Sequence, residues 1–475
     1  MEVVESSSEA IGVGLSHGNR LGQSVNRTAA RAMKPPNTHS RRTFLAATAG
    51  FAGFPVLRAA GQPPPSERVR LGFIGCGGRA KQIMPMFLSS PDVEIVAVSD
   101  VIEPRMDEAR KLLERGSRPQ RPDAVIEHER ILERKDVDAV VIATTQHWHG
   151  LPHIQACQAG KAVFVEKPLS HTVLEGRAMV NASRKNGVVT LMGTQQRAGP
   201  HYQRAVELVR GGRLGRVGLV ECWNYHNTGK RVGRVSDSDP PPGYHWDRWL
   251  GPAPRVPFNW GRLNNSWWFD YAGGMLTNWA VHHIDVILWA MNAASPAAVS
   301  CSGGKFVVDD MADTPDTIEA SWEFPGWLMQ YHYRGFNNFH AVQSRPNHHG
   351  ICFHGTQATL VLDRFGFEIR EDGKPAEVSE RMTAVPYFNE ADPGKSEQDG
   401  PWHRLFVDCV KAARKPPLEL EEGHRATVCC HLANIAYRTA RKIRWNGADE
   451  SIPDDAEAAG MLSRSRRSGY ELPTV

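Results

Sequence analysis

The stretch "VRLGFIGCGGRAKQIMPMFLSS", residues 69–90, joins an apolar run to a cluster of glycines and then to a helical pattern. Strand, tight turn and helix are the natural reading of that order. The turn is Gly75-x-Gly77-x-x-Ala80, with Gly78 and Arg79 inside it. Glycine at 75 permits the sharp bend, and glycine at 77 lets the backbone approach a pyrophosphate sitting at the helix N-terminus. The next strand, "VEIVAVSD", closes on Asp100, twenty residues after Ala80 (100 − 80). A carboxylate there accepts hydrogen bonds from both ribose hydroxyls and repels a 2′-phosphate, which favours NAD. Arg79 keeps NADP open, because a guanidinium can pair with that phosphate.

Outward from this unit the alternation continues. "DAVVIATT" (138–145), "KAVFVEKP" (161–168) and "GVVTLMGTQ" (187–195) read as further buried strands separated by helical segments. Strands alternating with helices predict a doubly wound parallel sheet, whose strand ends carry the ligand contacts. Thr144, His147 and His149, in "TTQHWHG", are therefore expected at the nicotinamide ribose, or else in a loop capping the helix from Leu151. Lys167, between Glu166 and Pro168, stands at the end of a buried strand, where an ammonium is costly unless paired or used. Gln195, Gln196 and Arg197 follow the next strand end and face the same crevice, as ligands for cofactor amide or sugar hydroxyls or as structural groups. Further on, "LVECWNYHNTG" alternates, setting Cys222, Asn224 and His226 on one face of a strand and Trp223 and Tyr225 on the other.

A second informative stretch is "GGMLTNWAVHHIDVILW", residues 273–289, apolar apart from Asn278, His282, His283 and Asp285. At about 100° per residue, Asn278, His282 and Asp285 share one helix face and His283 leaves it. Asp285, one turn from His282, is placed to orient its ring and raise its pKa. Gly273 and Gly274 would admit a close backbone or a ligand. A metal is the poorer reading, since adjacent histidines on a helix point apart. No metal is expected. A buried structural His282 bonded to Asp285 is the plainer alternative.

The 475 residues exceed one core, so two domains plus extensions are expected. We place them at 1–61, 62–193 and 194–475. Residues 1–61 hold seven Lys/Arg and three Asp/Glu, a net +4 that equals the formal charge of the whole chain. The remainder is neutral, and nothing in it suggests a nucleic-acid stripe. Its eight cysteines form no C-x-x-C pairs, so no zinc ribbon or disulfide framework is signalled. "SRRTFLAATAGFAGFPVLRAAG", residues 40–61, resembles a twin-arginine export signal through Arg41, Arg42, Phe44 and Leu45. That resemblance implies a periplasmic protein, exported folded with its cofactor already bound. Met33 would start a leader of more ordinary length.

Gly75–Ala80, the E-K-P at 166–168 and the G-G-x-x-x-N-x-x-x-H at 273–282 together resemble the glucose–fructose oxidoreductase/inositol dehydrogenase/MocA family. The similarity runs from Arg68 to about residue 442. It implies a Rossmann-type nucleotide-binding domain followed by an α/β domain with an open, mostly antiparallel sheet. NAD, or NADP, would be tightly held, with Lys167 touching both nicotinamide ribose and substrate hydroxyl. His282 takes the family's catalytic histidine position, and Asn278 stands where the family has an Asp. The expected substrate is a sugar, cyclitol or sugar derivative, with Arg197 and Asn278 among its contacts. Expected partners are the export machinery and further copies of the chain. NAD-dependent glycosidases of similar build, and a non-catalytic sugar-binding relative, are the alternatives.

Overall fold

The computed structural model describes residues 68–225, 231–338, 348–384 and 398–475. The expected leader and export signal, and His226, lie outside the described residues.

Six strands, β1 (Val69–Ile74), β2 (Val93–Ser99), β3 (Asp123–Val125), β4 (Ala139–Ile142), β5 (Ala162–Val165) and β6 (Thr190–Met192), form one sheet in the order β3-β2-β1-β4-β5-β6. Every pairing is parallel. β4 and β5 are buried along their whole length, which is why they read as unbroken apolar runs. β3 escapes a sequence reading because its residues are mostly exposed. The strand order reverses between β1 and β4, so a crevice opens there at the strand C-termini. The helix after the glycine turn, α1 (Gly78–Leu88), starts at that crevice.

The second sheet has nine strands: β7 (Val217–Tyr225), β8 (Ala298–Gly304), β9 (Thr317–Phe324), β10 (Trp327–Arg334), β11 (His349–Gly355), β12 (Ala358–Asp363), β13 (Gly366–Glu371), β14 (Glu380–Thr383) and β15 (Ile443–Arg444). Their order is β14-β13-β12-β11-β7-β10-β9-β8-β15. β7 and β10 pair in parallel, and the other pairs are antiparallel, as expected of an open mixed sheet. Cys222, Trp223 and Asn224 are all buried, so β7 is covered on both faces over these residues.

A layer of helices lies on this sheet. α2 (Val281–Met291) is buried nearly all round, and a π-helical turn, Leu276–Ala280, leads into it. Such turns recur at functional sites because they re-aim side chains. α3 (Asp399–Lys411) leaves the second domain: Trp402, Phe406, Val407 and Val410 join Phe73, Phe87 and Phe164 in the core of the parallel sheet. Burying a side chain such as Phe406 contributes about 2 kcal/mol, enough to fix the helix there. A boundary at 193/194 therefore separates the two sheets but does not anticipate this return. α4 (Leu420–Thr439) packs against both α2 and β8. Trp322 on β9 donates to its Cys429 carbonyl at 3.0 Å. Among the described residues no helix is long and apolar enough to cross a membrane.

Candidate active site

The crevice at the strand switch has a volume of about 440 Å³, and Gly75, Gly77, Gly78, Arg79, Asp100 and Thr144 are among its lining residues. Gly75 has φ +92°, and a Cβ there would sit 2.7 Å from the Ala143 carbonyl oxygen, so only glycine serves. Gly77 and Gly78 face open space. The Thr144 hydroxyl is buried without a hydrogen-bond partner at the crevice wall. An open glycine cradle, a helix N-terminus and an orphaned hydroxyl suit a dinucleotide. Asp100 braces this cradle, accepting from the Cys76 N–H at 2.7 Å and the Ile102 N–H at 2.9 Å. Burial raises its pKa, against Arg105 and those N–H groups. A carboxylate so placed has lone pairs left for ribose hydroxyls.

Several expected cofactor contacts have other work. Ala80 is fully buried on the core side of α1. His147 sits against Trp249 and Tyr271, its Nε2 3.1 Å from the Trp249 carbonyl. His149 places Nδ1 2.7 Å from the Pro168 carbonyl, which a neutral ring reaches by donating. Burial lowers both pKa values. These two histidines hold backbone, and neither lines the crevice, because their helix turns them inward. Glu166 is likewise buried. It accepts from Arg79 Nε at 2.7 Å, and Arg79 reaches Asp399 on α3 at 3.1 Å. Arg79, which kept NADP open, is thus engaged by two carboxylates. Gln195 is buried at the end of β6 and is not among the crevice-lining residues.

Beside Glu166, Lys167 crosses to the second domain. Its Nζ donates to the Asn278 backbone oxygen at 2.6 Å and to Asn278 Oδ1 at 3.1 Å. Burial pulls its pKa down to about 8, against the pull of Glu166. His282 is also buried, and its Nδ1 has no hydrogen-bond partner. Its pKa lies well below the usual value, first through burial and then through the charges of Lys167 and Arg364. The ring is therefore neutral.

The expected stripe on one helix face does not hold. The π turn displaces Asn278 toward Lys167, and Asp285 turns to Arg197, which donates to both its oxygens at 2.7 and 2.8 Å. Asp285 therefore does not orient His282. Arg197, expected at the sugar, is spent in this buried pair and in a third contact with Glu422 at 2.8 Å. Burial opposes its charge, and Asp285 more than offsets that. The close approach allowed at Gly273 is taken by the protein's own Asn434, which donates to its carbonyl at 3.0 Å. His283 stacks on His349, away from His282. Among the described residues no cluster of His, Cys, Asp or Glu is arranged to hold a metal.

The sheet adds groups that sequence reading leaves undecided. Neither amide atom of Asn224 and no part of the Tyr331 hydroxyl has a hydrogen-bond partner, though all are buried. Such groups cost free energy until something polar meets them. Arg364, in the β12–β13 turn, passes unnoticed in the sequence. Its guanidinium lies 4.5 Å from the Trp279 ring centre, and its charge is felt at both Lys167 and His282. "LDRFGF" signals a hairpin. Which site the hairpin overhangs depends on strand order, which no local pattern carries.

Comparisons with known proteins agree with this architecture. Residues 69–194 match the model described as oxidoreductase family, NAD-binding Rossmann fold, GFO/IDH/MocA. Residues 253–361 match the GFO/IDH/MocA C-terminal domain. A glycosyl hydrolase family 109 protein of Saccharopolyspora erythraea is 30% identical over 204 residues, 38% of this chain and 44% of that protein. The chain thus aligns with less than half of that relative. The structure of levoglucosan dehydrogenase in complex with NADH and levoglucosan superposes with TM-score 0.60 at 16% identity, covering 79% of this chain and 99% of that one. Aldose–aldose oxidoreductase from Caulobacter crescentus, complexed with glycerol, gives TM-score 0.59 at 19% identity, with 79% and 99% covered. These likenesses show the fold.

Proposed function

The chain carries both domains of the GFO/IDH/MocA oxidoreductase family, the first an NAD-binding Rossmann domain, and on that premise we propose an NAD-dependent oxidoreductase acting on a sugar or sugar derivative. One observation carries the reading. Lys167, at the crevice end of β5, meets Asn278 and lies within electrostatic reach of a buried neutral His282 with an unpartnered ring nitrogen. NAD, when bound, supplies the hydride acceptor. The chain's own residues do the rest. His282 accepts the proton of the substrate hydroxyl at a ring nitrogen. Lys167 holds that oxygen and stabilises its developing negative charge. Asn224 and Tyr331 offer unsatisfied polar atoms, suited to further hydroxyls. Asp100 and the two carboxylates engaging Arg79 favour NAD over NADP.

A second reading draws on the match to a glycosyl hydrolase family 109 protein. The same groups would serve transient oxidation of a sugar hydroxyl, loss of the glycosidic substituent and return of the hydride, with no net redox change. Incubating the NAD-loaded protein with a carbohydrate and glycoside library separates these readings. Net NADH without sugar release supports the dehydrogenase, and sugar release without net NADH supports the glycosidase. Neither signal overturns both, leaving a sugar-binding relative. The reading includes export to the periplasm by the twin-arginine route, supported by Arg41, Arg42, Phe44 and Leu45. A reporter fused after Gly61 should then reach the periplasm, and replacing both arginines with lysine should abolish its export.

A further inference from the structure

The nucleotide crevice is not built by the parallel-sheet domain alone. Tyr244, Trp249, Leu263 and Asn265, all from the chain beyond β7, line it as well. Tyr244 and Trp249 fall between the two stretches that match the family, 69–194 and 253–361, so neither match covers them. Residues 243–249 are pinned at both ends. At one end the Glu103 N–H donates to the Gly243 carbonyl at 2.9 Å, and the His245 N–H donates to the Val101 carbonyl at 3.0 Å. These partners directly follow Asp100. At the other end the Trp148 indole, in the loop after β4, donates to the Trp249 carbonyl at 2.9 Å. Gly251, with φ +50°, permits this approach, because a Cβ there would lie 2.3 Å from the Trp148 ring. The segment thus bridges the loops after β2 and β4, the two strands that flank β1 in the sheet.

The side chains on this bridge are braced by other rings. Tyr244 meets Phe258 and Trp260 edge-on at 6.1 and 5.6 Å, and Trp249 stacks on Trp246 at 4.6 Å. Yet Trp249 Nε1 is buried with no hydrogen-bond partner, as is the hydroxyl of Thr144, another lining residue. A buried donor of this kind costs free energy until an acceptor meets it. Which half of the cofactor lies here follows from the rest of the wall. Asp100, placed for a ribose, lines the crevice, as do Ile126 and His128 beyond β3, whereas neither Lys167 nor His282 does. The crevice is therefore the part of the site that lies away from the reacting groups. Resting on the reading of this crevice as the NAD site, we propose that residues 243–249 hold the adenosine half of the cofactor, Tyr244 through its ring and Trp249 through its indole N–H. A purine with its ribose suits such a pair, since it offers a π face and several acceptors. The second domain then binds cofactor as well as substrate.

Calorimetry on the full chain, freed of any co-purifying nucleotide, tests this with NAD and ADP as probes. ADP keeps the adenosine and lacks the nicotinamide riboside. Tyr244→Ala should weaken the binding of both by about 10-fold or more, the effect of taking an aromatic face from a base. Trp249→Phe keeps a ring and removes the donor, and should weaken both by about 3-fold or more. Thermal melting without nucleotide checks the folding of each variant; should Tyr244→Ala fail to fold, Trp249→Phe reports alone. Undiminished ADP affinity in every folded variant overturns the proposal. So does a loss seen with NAD but not with ADP, which would put these residues at the nicotinamide half. A parent that binds NAD but not ADP overturns it too, because the adenosine half would then contribute nothing measurable. In each of these cases NAD binding by the parent leaves the cofactor reading standing. If the parent binds neither probe, that reading fails, and this assignment with it.

Discussion

His282 shows how a residue type acquires a role from what surrounds it. Its ring is buried, its Nδ1 is unpartnered, and the cations beside it keep it neutral. His147, whose Nδ1 is unpartnered too, holds a backbone carbonyl through Nε2, and His149 holds one through Nδ1. Replacement of His282 by alanine should cut turnover by about 10²–10⁴-fold with NAD affinity nearly intact, measured by steady-state kinetics and cofactor titration. A His282→Ala protein with undiminished turnover would return the residue to a packing role. Lys167 gives a pH signature. Its pKa is depressed to about 8, so the ammonium is present below that value and is lost as pH rises through it. Turnover should fall on the alkaline side near pH 8. His282, neutral well below its usual pKa, should impose no acid limb in the neutral range. Asn278→Asp would set a carboxylate 3.1 Å from Lys167 Nζ, where Oδ1 now lies, and should move the alkaline limb upward. A limb that stays in place would mean another group titrates there. Lys167, Asn278 and His282 were legible in the sequence as residues of a motif. Arg364 was not, because nothing local marks a hairpin arginine as belonging to a site.

At the scale of elements, the sequence carried most where one pattern implied one structure. The glycine turn, its flanking strands and Asp100 lie in contiguous residues, and each obeys a local rule of φ, burial or capping. The stretch 273–289 was read less well. An α-helical period predicts Asn278, His282 and Asp285 on one face, but the π turn at Leu276–Ala280 breaks the period before His282. The turn depends on contacts distant in sequence, such as Thr277 donating to Gln146 at 2.8 Å. Asp285 consequently serves the fold. Its pair with Arg197 joins α2 to the segment after β6, and both side chains are almost fully buried. Asp285→Ala would strand a buried guanidinium, with Glu422 as partial compensation. We expect a loss of about 3 kcal/mol, at the lower end of what breaking a buried pair costs, read from denaturant unfolding. The pH–rate profile of the folded fraction should not shift, because Asp285 does not touch His282. A shifted profile would restore Asp285 to the proton path.

Across the whole molecule, the two sheets are joined by more than the crossing of the chain from β6 to β7. α3 returns to the core of the parallel sheet, and in the segment after residue 460 Leu472 and Val475 pack on the other face of that domain's core. In that segment Arg464 donates to the His147 carbonyl at 2.8 Å, and Arg466 donates to Glu175 Oε2 at 2.5 Å. Glu175 is buried and also accepts from the Gly150 N–H at 3.0 Å, at the start of the helix following the "TTQHWHG" loop. Tyr470 meets Trp148 edge-on at 5.5 Å, and Trp148 lines the nucleotide crevice. These contacts were invisible in the sequence, since "SRSRRSGY" has neither a period nor an apolar face and separates each partner by some three hundred residues. They tie a distant segment to the wall of the cofactor site. Arg466→Ala leaves the buried Glu175 carboxylate with a weaker partner, Arg464 at 3.9 Å. It should destabilise the protein by about 3 kcal/mol. Because the same loop carries Trp148, NAD affinity should fall as well. Tyr470→Ala separates the two effects: it removes the contact with Trp148 but keeps the ion pair, and should lower NAD affinity more than stability. Calorimetric titration with NAD beside thermal melting decides this. Unchanged NAD affinity in both variants would show that the segment supports the first domain without shaping its crevice.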